Sequence, residues 1–130
     1  MPDTPPRVTD LELMVLQQIW QAGEPQTVYQ IVESWPERSR PGYTTILKTL
    51  QKMEGKCLVG HQQDGRRYAY FARVERDAVA GNRLETIIER MFGGNRLSFA
   101  QYFIESGELS ARELRELKRL VAQAEKGEKE

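Results

Sequence analysis

Apolar positions along the first third of the chain recur at helical spacing. Leu11, Met14, Val15, Leu16, Ile19 and Trp20 make one stripe. It begins after Thr9-Asp10-Leu11-Glu12, a capping box, and stops at Gly23. Thr27-Val28-Tyr29-Gln30 is a second capping box, and Val28, Ile31, Val32 and Trp35 continue it as a short helix that Pro36 ends. The stretch Pro41 to Lys56, PGYTTILKTLQKMEGK, predicts a third helix with two faces. Tyr43, Ile46, Leu47, Leu50 and Met53 fall on the inner side. Thr44, Thr45, Lys48, Gln51 and Lys52 fall on the outer side, which carries no carboxylate.

After Lys56 the period changes to two. Leu58 to Gln62 and Arg67 to Ala72 read as strands, and Gln63-Asp64-Gly65-Arg66 as a hairpin turn with Asp-Gly at its positive-φ positions. From Arg73 onward the pattern is helical again. One helix carries Val79, Leu84, Ile87, Ile88, Met91 and Phe92 and breaks at Gly93-Gly94. Asn95 caps a second, with Leu97, Phe99, Ala100, Phe103 and Ile104, closed by Gly107. Ser110 to Glu113 is a third capping box, ahead of Leu114, Leu117, Leu120, Val121 and Ala124.

The fold class expected is mostly α with a small β-hairpin: an N-terminal winged helix-turn-helix followed by a three-helix C-terminal dimerisation region. The boundaries read as a flexible arm over 1–8, the winged helix over 9–73, the dimerisation helices over 74–126 and a frayed tail over 127–130. Three short helices of about 50 residues are marginal as a lone core, so their apolar faces call for a second copy or for the winged helix itself. A two-fold dimer is the expectation, because it matches two-fold DNA half-sites. The residues placed at that interface are Ile88, Met91, Phe92, Phe99, Phe103, Leu114, Leu117 and Leu120.

Charge sharpens this picture. Net charge over the 130 residues is zero, yet Arg38 to Arg67 holds seven basic residues against two acidic ones. A basic patch on a neutral chain is the footprint of a DNA-facing surface. In winged-helix geometry the helix 43–55 enters the major groove and the 63–67 hairpin serves as the wing. The DNA-binding candidates are Tyr43, Thr44, Thr45, Lys48, Lys52, Arg66 and Arg67. Tyr43 either packs inward or points its hydroxyl at a phosphate. The alternative is a ligand- or protein-responsive interaction module that keeps the winged helix as scaffold. An aromatic-lined cavity among Phe92, Phe99 and Phe103 would favour ligand sensing.

Other chemistry is scarce. One cysteine and one histidine supply no metal cage and no nucleophile–base pair, so neither enzyme activity nor a cofactor or metal is expected. Cys57 reads as a small buried or half-buried hydrophobe, His61 as a surface residue of a strand, and Trp20 and Trp35 as core. No apolar h-region or membrane-length run occurs, which points to the cytoplasm.

Several stretches together resemble the penicillinase and methicillinase repressor family (BlaI and MecI, with the copper-responsive CopY repressors). They are TDLELMVLQQIW, EPQTVYQIVE, YTTILKTLQKMEGKCLV, RRYAYFA and SFAQYFIESGELSARELREL. The resemblance implies a homodimeric transcriptional repressor on a palindromic double-stranded operator. On matching positions it puts Thr44, Thr45, Lys48 and Lys52 toward DNA and Arg66 and Arg67 on phosphate. It also implies an inactivating protease for the β-lactam-responsive members. The matching bond here is Tyr102–Phe103, where the family has Asn before Phe. The copper-responsive members carry paired C-terminal cysteines, which this chain lacks.

Overall fold

The computed structural model of the protein describes residues 7–129. In order, the elements are α1 (Asp10–Ala22), β1 (Gln26–Thr27), α2 (Val28–Ser34), a 3₁₀ turn (Glu37–Ser39), α3 (Tyr43–Gly55), β2 (Val59–Asp64), β3 (Arg67–Ala72), α4 (Arg76–Phe92), α5 (Arg96–Glu105) and α6 (Ala111–Lys129). One compact unit ends at Arg83 and a second begins at Leu84.

All three capping boxes form. The Thr9 hydroxyl accepts from the Glu12 N–H at 3.2 Å, and the Glu12 carboxylate accepts from the Thr9 N–H at 2.9 Å. Thr27 with Gln30 and Ser110 with Glu113 repeat the exchange. Each cap contributes on the order of 1 kcal/mol. Glu12 does more. It is only 2% exposed, and both its oxygens accept from the Lys56 ammonium, at 2.9 and 3.0 Å. Burial alone would push its carboxyl up. The hydrogen bonds from Thr9 and Lys56 more than offset that and hold it below the ordinary 4.5.

That stabilisation is therefore complete above pH 4.5 and is lost as pH falls through the lower folded value. Glu12→Gln should cost about 2 kcal/mol at pH 7 and progressively less in acid. Urea midpoints of the two proteins at pH 7 and pH 3 check this. An equal gap at both would show that the Glu12 charge is not what stabilises.

The core of the first unit joins Val15, Leu16 and Ile19 of α1, Val28 and Ile31 of α2, Trp35, Ile46, Leu50 and Met53 of α3, and Leu58, Val59 and Tyr70. Each is at most 5% exposed. Met14, expected in the α1 stripe, is exposed instead. Glu12, Val15, Leu16 and Ile19 occupy a single arc of the helix, and 100° steps put Met14 nearly opposite it. Trp20 is half-buried and its indole N–H donates to the Val74 carbonyl at 3.2 Å.

The sheet is antiparallel in the order β1-β3-β2. The sequence pattern showed only two of its strands, since β1 is a two-residue pairing of Gln26 with Tyr70 and Thr27 with Ala69. The wing turn also differs. Asp64 pairs with Arg67 and belongs to the strand, so the turn is Gly65-Arg66. Gly65 alone takes a positive φ, of 66°, as a two-residue turn with glycine first requires.

The end of α3 shows why Cys57 is exposed rather than half-buried. The Leu58 N–H reaches the Met53 carbonyl at 2.9 Å and the Cys57 N–H reaches the Glu54 carbonyl at 3.0 Å. This is a Schellman stop, and it forces Cys57 to a φ of 64°. Leu58, not Cys57, then turns into the core.

The expected arm of residues 1–8 is described only at its end. There Val8 packs against the core, and its carbonyl accepts from the Arg83 guanidinium at 2.8 Å. Arg83 also meets Asp10 at 2.6 Å. The start of α4 thus belongs to the first compact unit, ten residues beyond the boundary expected at 73.

In the second unit the Asn95 side chain accepts from the Ser98 N–H at 2.9 Å and starts α5. The expected frayed tail 127–130 is helical as far as it is described, because α6 runs to Lys129. Ala, Glu, Lys and Arg dominate that helix, and they are strong helix formers.

Candidate nucleic-acid interface

α3 presents Tyr43, Thr44, Thr45, Lys48, Gln51 and Lys52 to solvent. The inner face of the same helix is fixed by Ile46, Leu50 and Met53, all fully buried, so the outer residues cannot rotate away from solvent. Tyr43 shares that inner face but lies one turn beyond the core, and it is exposed. Thr49 is half-buried and its hydroxyl donates to the Thr45 carbonyl at 2.7 Å. At the wing tip Arg66 and Arg67 are exposed. Among the described residues, Lys48, Lys52 and Arg66 form no ion pair, and Arg67 forms none beyond its stacking on Tyr29, at 5.9 Å from ring centre to guanidinium.

The basic excess read from the sequence is trimmed by pairing. Lys56 is held by Glu12. Arg40 meets Glu33 at 3.7 Å and donates to the Trp35 carbonyl at 3.1 Å. Both fasten the scaffold and leave the outer face. On the acidic side Glu54 is taken by His61 Nδ1 at 2.7 Å. His61 is exposed as expected, but it is not idle. It links the C-terminal half of α3 to the wing and lies 4.6 Å from the Tyr68 ring and 5.7 Å from that of Tyr70.

Between the wing and the first turns of α2 and α3 lies a cleft of about 260 Å³. Tyr29, Tyr43, Arg66, Arg67, Tyr68 and Tyr70 line most of it. Burial pushes the Tyr70 phenol up, and the charge of Glu54 adds to the shift, so it stays a protonated donor at neutral pH. Tyr29, Tyr68 and Tyr70 were missed as site residues. They come from two elements brought together by the β1–β3 pairing, which sequence periodicity did not show.

In the second unit most of the expected interface residues face solvent. Met91, Phe103, Leu114 and Leu120 are exposed, and Phe92, Phe99 and Leu117 are half-buried. Ile88 is already buried at 5%. Phe92 and Phe99 meet edge to face at 5.6 Å, Phe92 and Tyr102 at 5.7 Å, and Phe99 and Phe103 at 6.3 Å. Those are packing distances, so the rings fill the space between them. The Tyr102–Phe103 bond lies inside α5 with both side chains exposed.

No described helix is long and apolar enough to cross a membrane. Among the described residues no group of His, Cys, Asp and Glu is placed to hold a metal ion.

Comparison with known proteins gives consistent matches. The family described as penicillinase repressor matches residues 8–123. The chain is 34% identical over 122 residues to the transcriptional regulator BlaI of Mycobacterium tuberculosis, covering 93% of this chain and 87% of that one. It is 23% identical over 125 residues to the penicillinase repressor of Bacillus licheniformis, covering 96% and 97%. Among solved structures, the monomeric form of Bacillus licheniformis BlaI in complex with the blaP half-operator aligns with a TM-score of 0.48 and 22% identity, over 57% of this chain and 89% of that one. The match of the family over nearly the whole length places the result beyond any single motif: the chain belongs to the penicillinase repressor family of transcriptional regulators.

Proposed function

We propose that the chain represses transcription as a cytoplasmic homodimer, with each copy inserting α3 into the major groove of one half of a palindromic operator. The observation that carries this reading is the outer face of α3. It is exposed, free of carboxylates, and bears two unpaired lysines beside an unpaired wing arginine. Lys48, Lys52, Arg66 and Arg67 neutralise phosphates, so affinity falls with salt through counterion release. Thr44 and Thr45 stand at the helix N-terminus, nearest the base edges. The exposed apolar faces of α4, α5 and α6 join the two copies, through Met91, Phe92, Phe99, Phe103, Leu114, Leu117 and Leu120. Ile88, already buried, braces α4 from behind. Two half-sites read by tethered heads gain affinity through effective concentration. A bound dimer excludes polymerase. Protease cutting at Tyr102–Phe103 would detach α6 from the rest and release the DNA. The family is one of repressors, and no catalytic role is assigned.

The test is an anisotropy titration on the chain's own promoter region across a salt series. Lys48→Ala and Lys52→Ala should each weaken binding and reduce the salt slope by about one. Their thermal stability should stay within about 0.5 kcal/mol of the parent, since both side chains are on the surface. An unfolded lysine variant would mean that α3 is turned the other way. If the parent forms no salt-sensitive complex, the winged helix is a scaffold for protein contacts instead.

A further inference from the structure

The cleft between the wing and α3 has a property that the rest of the surface lacks. Tyr70 is 4% exposed, yet its hydroxyl makes no hydrogen bond to another described residue. No sealed polar side-chain atom lacks a partner among the described residues, so that hydroxyl opens onto solvent, and Tyr70 lines this cleft. Buried polar groups are nearly always satisfied, so one that faces a cleft without a protein partner is set for a ligand.

The lining defines the ligand. It holds tyrosine and threonine hydroxyls and two guanidiniums, with no carboxylate and no side-chain amide. Such a set offers donors and positive charge, which suits an anion with several acceptor oxygens. The Tyr29 ring under the Arg67 guanidinium keeps that charge at the rim. No side chain caps the first turn of α3, which leaves its peptide N–H groups open beside Tyr43. A volume of about 260 Å³ exceeds a bare phosphate ion and has room for the adjoining sugar.

We propose that this cleft seats one phosphodiester of the DNA backbone, with the Tyr43 and Tyr70 hydroxyls and the Arg67 guanidinium on its oxygens and Tyr29 positioning Arg67. The proposal rests on the DNA-binding reading above and adds Tyr29 and Tyr70 to it. It explains how the register of the wing against α3 is set on the duplex, since backbone contacts fix position without reading sequence.

The experiment uses the full chain and a mixed-sequence duplex, because a phosphate contact needs no operator. Dissociation constants are measured over a salt series for the parent, Tyr70→Phe, Tyr29→Leu and Arg67→Ala. Tyr70→Phe removes a neutral donor, so affinity should fall about tenfold for a dimer carrying the change twice, with the salt slope unchanged. Arg67→Ala should lower affinity and reduce the slope by about one, and Tyr29→Leu should weaken binding through Arg67. The thermal midpoint of Tyr70→Phe should equal the parent's, because no bond within the protein is lost. Parental affinity in Tyr70→Phe, or a loss accompanied by a lower midpoint, overturns the proposal. So does saturable binding of inorganic phosphate with no change in duplex affinity, which would assign the cleft to a free anion. A parent that binds no duplex defeats the DNA-binding reading itself, a different outcome from a parent that binds and a Tyr70→Phe that binds equally well.

Discussion

Leu120→Asp is expected to convert the dimer to monomers and to lower operator affinity by about 10²- to 10⁴-fold. Leu120 is 47% exposed in the protomer, and Leu114 and Val121 beside it on α6 are exposed as well. An apolar stripe of that size on a 19-residue helix is unusual on a chain that stays alone. A carboxylate placed in it must be desolvated if the two copies join, at a cost of several kcal/mol. The cost to the protomer is small, because the side chain already meets water. Sedimentation gives the mass, and a titration on the operator gives the affinity. Each half-site must then be bound separately, which removes the effective-concentration gain and leaves the intrinsic contacts untouched. A Leu120→Asp protein that remains dimeric with parental affinity would place the interface elsewhere.

Leu50→Ala tests the opposite face of α3. Leu50 is fully buried among Val15, Leu16, Ile31 and Met53 in one core cluster. Truncating it removes transfer free energy and leaves a cavity, so the winged helix should lose about 3 kcal/mol. The thermal midpoint should drop by roughly 10 °C. Below that temperature the duplex affinity of the folded protein should change little. The two faces of one helix therefore have separable signatures: stability without binding for Leu50, binding without stability for Lys48. A loss below about 1 kcal/mol in Leu50→Ala would contradict the assigned packing, since filled core sites do not tolerate the cavity so cheaply.

The parts legible in the sequence were those that local rules specify. The capping boxes at Thr9, Thr27 and Ser110 mark helix starts because donor and acceptor lie three residues apart. The outer face of α3 was legible for the same reason, since helical period alone sorts Lys48 from Leu50. What was not legible depends on distant partners. β1 is two residues long, and only β3 makes it a strand. Lys56 counts as part of a basic patch until Glu12, 44 positions away, removes it. Cys57 reads as a small hydrophobe until the helix stop gives it a left-handed backbone. The tyrosine cleft needs α2, α3 and β3 side by side, so no single stretch displays it.

The most direct measurement is hydroxyl-radical footprinting of the chain on fragments of its own upstream DNA. The account predicts a two-fold symmetric pattern, with two protected half-sites whose centres are one helical turn or a whole number of turns apart. Lys48→Ala should weaken both halves equally. A single unsymmetrical footprint, or no protection at moderate salt, would contradict a dimer that reads DNA with α3.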